Sequence, residues 1–445
     1  MDKILKPADI KAAELEAKAE RHFIKRELHD TLICLQQAIS IRKESGDWNG
    51  AGDCAQSEGY VRFVVADHAG AIRSYEEALE FRKRTNDLRG QGVTCGRLAE
   101  VFQHIGEHAK AVELLESALQ YFERINAPID ISTIFNNMAV SYREMGVADK
   151  ARQCYERSLE IRRQVGDFDG IATTLLNVAV LYIGLSHYDC AHLFLEEARD
   201  LRREMGDNEG LGRITLHQGR LHEEQGDILS AIECYEDALN LARSGKCIQS
   251  RIDEAIALLN LADALSNQGK VDSSLANLDV AAKLFLEAGV IQGIAMTYYG
   301  RGRTLAAAGR STEALACFGV AKSHFKKIDD RPRLISTGIA IGKILSSCRQ
   351  HREARDEFVS ALELQQQLSL PQNEAITQQL IRRECAALGD ETGGWSAASV
   401  AVDRLGHVIT DPGFDGVAID NIANFKAADC SMPDAEQPAG PYSLH

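Results

Sequence analysis

The feature that most constrains the fold of this chain is a small residue that recurs at a spacing of forty positions. A large apolar residue follows it four positions later, and another small residue follows three positions after that. Small, large and small side chains at i, i+4 and i+7 share one face of a helix. The first small positions are Ala71, Ala111, Ala151, Ala191 and Ala231 and, after a slip of three residues, Ser274, Ala314 and Ala354. This periodicity predicts a stack of similar helices.

A second helical pattern precedes each of these rows. It is an apolar-small pair followed by a larger residue, as in Leu98-Ala99 with Phe102. A glycine often separates the two patterns and favours a left-handed helix end. The units are joined by G-D-x-x-G or its relics, as at 166–170, where Gly can end one helix and Asp can cap the next. Each unit is therefore predicted to be a helical hairpin with a short linker.

The frame predicts about nine hairpins along the chain. They are expected to begin near residues 11, 51, 91, 131, 171, 211, 254, 294 and 334. We expect a degenerate first unit in 1–50, eight regular repeats in 51–372 and an unpaired capping helix in 373–389, because a solenoid must cover its last apolar face. The predicted fold is all-α, followed by an irregular acidic tail in 390–445.

This arrangement resembles the tetratricopeptide repeat, with small residues at the helix crossings and an aromatic residue near the end of the first helix. The unit is longer than the roughly 34-residue repeat of that family. The forty-residue version with G-D linkers resembles spindle-orientation adaptors of the Pins/LGN type, kinesin light chains, and bacterial regulators with peptide-sensing repeat domains. The resemblance implies a right-handed α-solenoid that binds a protein or peptide. It names no partner, because this fold serves many functions.

In the family that this chain resembles, the first helix of each hairpin lines a concave groove. The resemblance places these residues in that groove: Arg97, Asn136, Asn137, Arg143, Asn177, Val180, Arg213, His217, Arg220, Asn260 and Asp263. Asn can bind a backbone amide through its donor and its acceptor, and Arg can bind a carboxylate bidentately. We therefore expect a partner segment with acidic and apolar character. The alternative is that the Asn side chains bond to neighbouring helices and set the stacking of the repeats.

Composition and motifs argue against several other classes of function. The net charge is −15 without a basic cluster, which disfavours nucleic-acid binding. No apolar run approaches the roughly 20 residues of a membrane span, and the start of the chain lacks an apolar signal segment. There is no phosphate-binding loop, no G-x-S-x-G motif and no paired Cys ligands. We predict no catalytic residue, metal site or cofactor, and expect a cytoplasmic protein that the resemblance links to the cytoskeleton.

The tail differs from the repeats in composition. It holds four of the eight prolines and nine acidic against two basic residues. Its segment 399–410 alternates apolar and polar residues, which is typical of a small hairpin. One interpretation is that the tail docks on the solenoid, whose groove carries Arg residues. The other is a flexible linker or an arm for a second partner.

Three functions remain open at this stage. The first is a non-catalytic adaptor that binds a partner segment in its groove. The second is an integral subunit of a large cytoskeletal or ciliary assembly, and the third is a regulatory sensor that responds to a peptide. A tail of about 55 residues could hardly build a catalytic site alone.

Overall fold

The structure is a computed structural model in which residues 7–25, 27–245, 247–368 and 371–389 are described. These residues form nineteen α-helices and no strand. The chain divides into one unit of Met1–Trp395 and a second of Ser396–His445. The predicted tail, with its hairpin segment, lies outside the described residues.

The helices alternate between two kinds along the chain. The first helices of the repeats, with the final helix, are α1 (Pro7–Ile24), α3 (Trp48–Val64), α5 (Leu88–His104), α7 (Pro128–Glu144), α9 (Phe168–Gly184), α11 (Asn208–Glu224), α13 (Ile248–Asn267), α15 (Ile291–Ala307), α17 (Arg331–Ser347) and α19 (Pro371–Ala387). The second helices are α2 (Leu28–Ser45), α4 (His68–Thr85), α6 (His108–Arg124), α8 (Ala148–Val165), α10 (Tyr188–Glu204), α12 (Ile228–Ser244), α14 (Val271–Ala288), α16 (Ser311–Lys327) and α18 (His351–Gln367).

Each first helix packs against the second helix of its own repeat, and that helix packs against the next first helix. The predicted small–large–small row lies at the centre of this packing. In the fourth repeat, Ala151 and Ser158 have no exposed surface and Tyr155 is 1% exposed. α19 covers α18 at the end of the stack. The prediction of an all-α solenoid of helical hairpins is confirmed.

The linkers between repeats follow the G-D-x-x-G motif. At the fourth linker, Gly166 has φ +72° and ends α8, and the Asp167 carboxylate accepts a hydrogen bond from the Gly170 amide at 3.0 Å. A Cβ at Gly170 would overlap both the Asp167 carboxylate and the Arg162 guanidinium. The second glycine of the motif therefore makes room for a buried arginine beside the helix cap.

That arginine recurs and was missed in the sequence analysis. Arg42, Arg82 and Arg202 occupy the same position in other repeats, and Arg202 binds Asp207 at 2.9 Å while it is only 5% exposed. Their spacing of forty residues was a visible signal. These arginines connect the end of one repeat to the beginning of the next, so they are structural.

The slip of three residues in the periodicity has a simple structural basis. α13 contains 20 residues, whereas α11 and α15 contain 17. Three residues add nearly one helical turn. The insertion is therefore absorbed by lengthening one first helix, and the hairpin pattern continues beyond it.

The first unit also contacts itself between repeats that are far apart in the chain. We call this contact the seam. One side consists of Ala66, His68, His104, Gly106 and Glu107, and the other of Gln292, Ile328, Asp330, Arg331, Pro332 and Leu368.

Several observations establish the seam. Arg331 Nη1 lies 3.1 Å from Glu107 Oε1, although the two residues are 224 positions apart. A Cβ added at Gly106 would lie 3.0 Å from Pro332 Cγ and 3.2 Å from Leu368 Cδ1, so the glycine backbone directly faces these side chains. Ala66 packs against the apolar cluster around Ile328.

Two histidines lie side by side at the centre of the seam. The ring centroids of His68 and His104 are 4.9 Å apart, and Phe63 packs against both rings. The His68 ring also lies close to the backbone of Ile328 on the other side of the seam. Burial lowers the pKa of both histidines, and for His104 the neighbouring His68 lowers it further. Both imidazoles are therefore held in their neutral form.

Candidate functional site

The first helices of the repeats form the inner face of the stack. α7 contacts α9, α9 contacts α11, α11 contacts α13, and α13 contacts α15, in addition to the contacts within each hairpin. In a curved stack, the elements on the inside of the curve lie closest to their counterparts in the next repeat. Every residue that was predicted to line the groove lies on α5, α7, α9, α11 or α13. We call this surface the inner face.

The asparagines on the inner face are bonded to each other across repeats. Asn177 Nδ2 donates to Asn136 Oδ1 at 3.0 Å, and Asn136 Nδ2 donates to Asn137 Oδ1 at 3.3 Å. Gln103 Nε2 donates to the Asn137 carbonyl oxygen at 2.9 Å and joins α5 to α7. Asn136 is 8% exposed, whereas Asn137 and Asn177 are half-buried. The alternative, in which these side chains set the stacking of repeats, fits Asn136 and Asn177, because their bond joins α7 to α9. Asn137 and Asn177 remain accessible from the inner face.

A cationic cluster follows the asparagines along the inner face. Arg143 on α7 and Arg220 on α11 both lie close enough to His217 to disfavour a positive charge on its imidazole. Burial is the larger cause, and together these effects lower the pKa of His217 to about 4. The Nδ1 atom of His217 has no hydrogen-bond partner among the described residues. The structure therefore brings together three predicted groove residues from two helices.

Two acidic groups lie near the cationic cluster, one at the end of α11 and one on α13. Asp263 on α13 accepts a hydrogen bond from Arg303 on α15 at 2.7 Å, and Glu223 on α11 accepts one from Asn267 at 2.9 Å. Burial raises the pKa of both carboxyl groups. Asn260 lies half-buried on the same helix as Asp263. Each of these carboxylates therefore already has a hydrogen-bond donor from a neighbouring repeat.

The other predicted groove residues lie apart from these clusters. Val180 is half-buried on α9. Arg97 forms a salt bridge with Glu100 at 2.9 Å and borders a pocket with Phe23 and Tyr60 near the start of the solenoid. Arg213 is exposed on α11 and acts electrostatically on Asp253.

One repeated position also has a polar function that the small–large–small row did not reveal. Tyr75, Tyr155 and Tyr235 were interpreted only as large core residues. Their rings are buried, but the Tyr235 hydroxyl donates to Glu223 Oε2 on the inner face at 2.9 Å. The signal was their chemistry, because a buried tyrosine hydroxyl needs a hydrogen-bond partner.

Comparisons with known proteins agree with this architecture. A family model described as tetratricopeptide repeat matches residues 130–204, and a second model with the same description matches residues 213–244. These two ranges identify tetratricopeptide repeats within the chain. No curated protein sequence matches the chain. In the described residues, we find no helix with the length and apolar character needed to cross a membrane.

Solved structures with the same kind of fold are distant in sequence. A Rap protein complexed with competence and sporulation factor is 12% identical, with a TM-score of 0.54, over 82% of this chain and 99% of that one. The apo form of RapI is 16% identical, with a TM-score of 0.50, over 61% and 97%. Aspartyl phosphate phosphatase F from Bacillus subtilis is 13% identical, with a TM-score of 0.49, over 82% and 96%. At these identities the first two show a shared fold alone.

Proposed function

We propose that this protein is a non-catalytic, cytoplasmic adaptor that binds an extended segment of a partner protein along its inner face. The observation that carries the proposal is a pair of exposed arginines on α11, Arg213 and Arg220. Within the described part of the chain, neither forms a salt bridge. Exposed cations that form no internal salt bridge are available to bind an external anion.

The neighbouring asparagines support the same proposal. Asn137 and Asn177 are accessible beside the cationic cluster, and an amide side chain can bind the backbone of an extended segment. The apolar side chain of Val180 lies on the same face. An extended segment with acidic and apolar residues fits this combination. The same chemistry supports, as a further proposal, that the acidic tail of this chain competes for the inner face.

The proposal is tested by a charge-matched pair of variants. Arg213→Gln with Arg220→Gln removes two cations from the inner face. Arg124→Gln with Arg352→Gln removes two exposed cations from the second helices α6 and α18. Each variant is used to capture partners from cell extract, and the captured protein is mapped with overlapping peptides. We expect the inner-face variant alone to lose an acidic peptide, and equal capture by both variants would contradict the proposal.

The seam supports a second candidate, in which the protein is a sensor that changes its conformation when a segment binds. A solenoid that contacts itself has two distinct arrangements, with the seam closed or open. A ligand shifts this equilibrium only if it binds the two arrangements with different affinity. We expect small-angle X-ray scattering to show a changed radius of gyration when the mapped peptide is added. An unchanged scattering curve at saturation would leave only the adaptor function.

A further inference from the structure

Tyr75, Tyr155 and Tyr235 occupy one position of the repeat, in α4, α8 and α12. Each is 1% exposed. The rings of Tyr75 and Tyr235 pack closely on the first helix of their own repeats, because a Cβ at Gly59 or Gly219 would meet the respective ring at 2.7 Å and 2.5 Å. Because the tyrosines occupy equivalent positions, the hydrogen-bond partners of their hydroxyl groups can be compared between repeats.

In the sixth repeat, a carboxylate partners the tyrosine hydroxyl. The Tyr235 hydroxyl donates to Glu223 Oε2 at 2.9 Å, and Asn267 Nδ2 donates to the other oxygen of the same carboxylate at 2.9 Å. Glu223 stands in the last turn of α11 and faces the inner side. A carboxylate therefore fits the space beside this tyrosine and is satisfied there.

In the fourth repeat, the position that corresponds to Glu223 is Arg143. Tyr155 precedes Tyr235 by the same number of residues as Arg143 precedes Glu223. The Tyr155 hydroxyl is buried, and its proton has no acceptor among the described residues, although Arg143 lies close enough to donate to its oxygen. An arginine side chain only donates hydrogen bonds, so Arg143 cannot accept the proton of the hydroxyl. A buried hydroxyl proton without an acceptor is unfavourable.

The protonation states of Tyr155 and its neighbours show that this position needs a hydrogen-bond acceptor. Burial raises the pKa of Tyr155 to about 12, so the hydroxyl keeps its proton. Glu144 accepts bonds from Nε and Nη2 of Arg143 at 3.0 Å and 2.7 Å, which orients the guanidinium. His217 and Arg220 complete the cluster from α11. Arg143, Arg220 and Tyr155 can thus each donate a hydrogen bond to a bound anion.

We infer that Arg143, Tyr155, His217 and Arg220 form a subsite for a carboxylate of the partner segment, an Asp or Glu side chain, which takes the place that Glu223 holds in the sixth repeat. The inference rests on the proposed function and goes beyond it by naming the chemical group that is bound. A carboxylate accepts from the Tyr155 hydroxyl and from the arginines at once. Such charge-assisted hydrogen bonds are the strong ones.

The occupied subsite changes the environment of His217. Without a ligand, the two arginines disfavour a proton on its imidazole. A bound carboxylate adds a negative charge next to the ring and favours that proton. Binding of the acidic segment is therefore coupled to an upward shift of the pKa of His217.

The test uses a fluorescein-labelled peptide of ten glutamates and a matching peptide of ten glutamines. Binding to the full chain is followed by fluorescence anisotropy. We expect the glutamate peptide to bind and Tyr155→Phe to weaken it by about tenfold, as for the loss of a hydrogen bond to a charged group. Tyr235→Phe is the matched control, since that hydroxyl already has Glu223 as its partner, and we expect a change below about twofold.

Arg143→Met and a histidine measurement provide two further readouts. Arg143→Met removes the guanidinium and keeps an unbranched apolar side chain, and we expect it to weaken the glutamate peptide by at least about tenfold. NMR of the full chain with labelled histidine reports the pKa of His217. We expect it to rise on addition of the glutamate peptide and to stay unchanged with the glutamine peptide.

Each unfavourable result has a defined meaning. Absence of glutamate-peptide binding, equal binding of the two peptides, or equal effects of Tyr155→Phe and Tyr235→Phe overturns the carboxylate subsite. If Arg213→Gln with Arg220→Gln still abolishes partner capture, the proposed adaptor function survives that loss. If capture is also unaffected, both the subsite and the adaptor function are wrong.

Discussion

Successive repeats and the seam hold this molecule together by different kinds of contact. Between the third and fourth repeats, Leu115, Phe122, Ile134 and Met138 belong to one buried apolar cluster. Across the seam, by contrast, a salt bridge joins Arg331 to Glu107, the rings of two neutral histidines lie 4.9 Å apart, and Gly106 faces Pro332 and Leu368. The apolar contact between successive repeats recurs along the stack. The seam, in contrast, joins the second and third repeats to the last two.

The difference teaches which part of the structure can respond to its surroundings. Apolar burial stabilises by roughly 25 cal/mol per Å² and depends little on pH or salt. Ion pairs are screened by salt, and buried histidines respond to acid. We therefore expect the contacts between successive repeats to determine whether the chain folds, and the seam to determine whether the inner face is open or enclosed.

The largest expected effect lies in an interface between successive repeats. Phe318 is 1% exposed and packs in one cluster with Leu305, Ile341 and Ile344, which belong to two repeats. Phe318→Ala should lower the free energy of unfolding by about 3–5 kcal/mol, because it leaves a cavity. Urea denaturation and hydrogen exchange over α15 to α18 measure the loss. Leu286→Ala, at a side chain that is 68% exposed, is the control and should change little.

Two glycine variants distinguish the effect of backbone strain from the effect of steric overlap across the seam. Gly106 and Gly226 have φ of +86° and +82°, so a leucine at either is strained by about 1–2 kcal/mol. A Cβ at Gly226 meets no described atom within 4 Å, whereas one at Gly106 presses on Pro332. Both Gly→Leu variants should lose stability in urea, but only Gly106→Leu should raise the radius of gyration. Equal scattering from the two variants would mean that the seam is open in solution.

We expect acidic pH to open the seam as well, but to a smaller extent than Gly106→Leu does. An exposed histidine titrates near pKa 6.5, and burial lowers the pKa of His68 and His104 in the closed seam. Between these values the open form binds more protons, so closure weakens as the pH falls below about 6.5 and is fully favoured above it.

The surrounding charges limit this effect. Asp67, Asp329 and Asp330 favour a proton on His68, whereas Arg333 disfavours one on His104. Gln292 partners His104 from α15. Scattering at about pH 7.5 and about pH 5.5 measures the opening, and a variant with His68→Gln and His104→Gln should show less dependence on pH. An equal response from that variant would assign the effect to other groups.

The smallest expected effect is that of the seam salt bridge. Its side chains are 25% and 19% exposed, so the pair stabilises closure by at most about 1 kcal/mol. Glu107→Arg should open the seam slightly, and the added change Arg331→Glu should restore it. Reversal of Glu197, which binds Arg163 at 3.1 Å between α10 and α8, is the control. If the double exchange fails to restore the scattering curve, the pair does not hold the seam.

The fold was predictable because the same residue pattern recurs in each repeat. The rows around Ala151 and Tyr155 identified the buried face, and the Asp of the linker identified the helix cap. The three-residue slip was visible, although only the structure shows that α13 absorbs it. Local periodicity is a strong signal because neighbouring repeats bury one another.

The seam and the carboxylate subsite were not predictable in the same way. Arg331 and Glu107 are too far apart in the chain for any periodic pattern to pair them. In the sequence, Tyr155 is indistinguishable from the equivalent tyrosines of other repeats. Only the bond between Tyr235 and Glu223 indicates that the Tyr155 hydroxyl needs an acceptor. The predicted groove residues, from Arg97 to Asp263, lie on the first helices of the repeats, and whether any of them contacts a ligand remains a prediction.

The seam has a consequence for how this chain can evolve. Duplicating or deleting one forty-residue module would preserve every junction between adjacent modules. It would, however, move Arg331 and Pro332 one module away from Glu107 and Gly106. We therefore expect that unequal recombination, which changes the number of modules in an open array, would break the seam here, and that the number of modules between these two points stays constant among descendants of this chain.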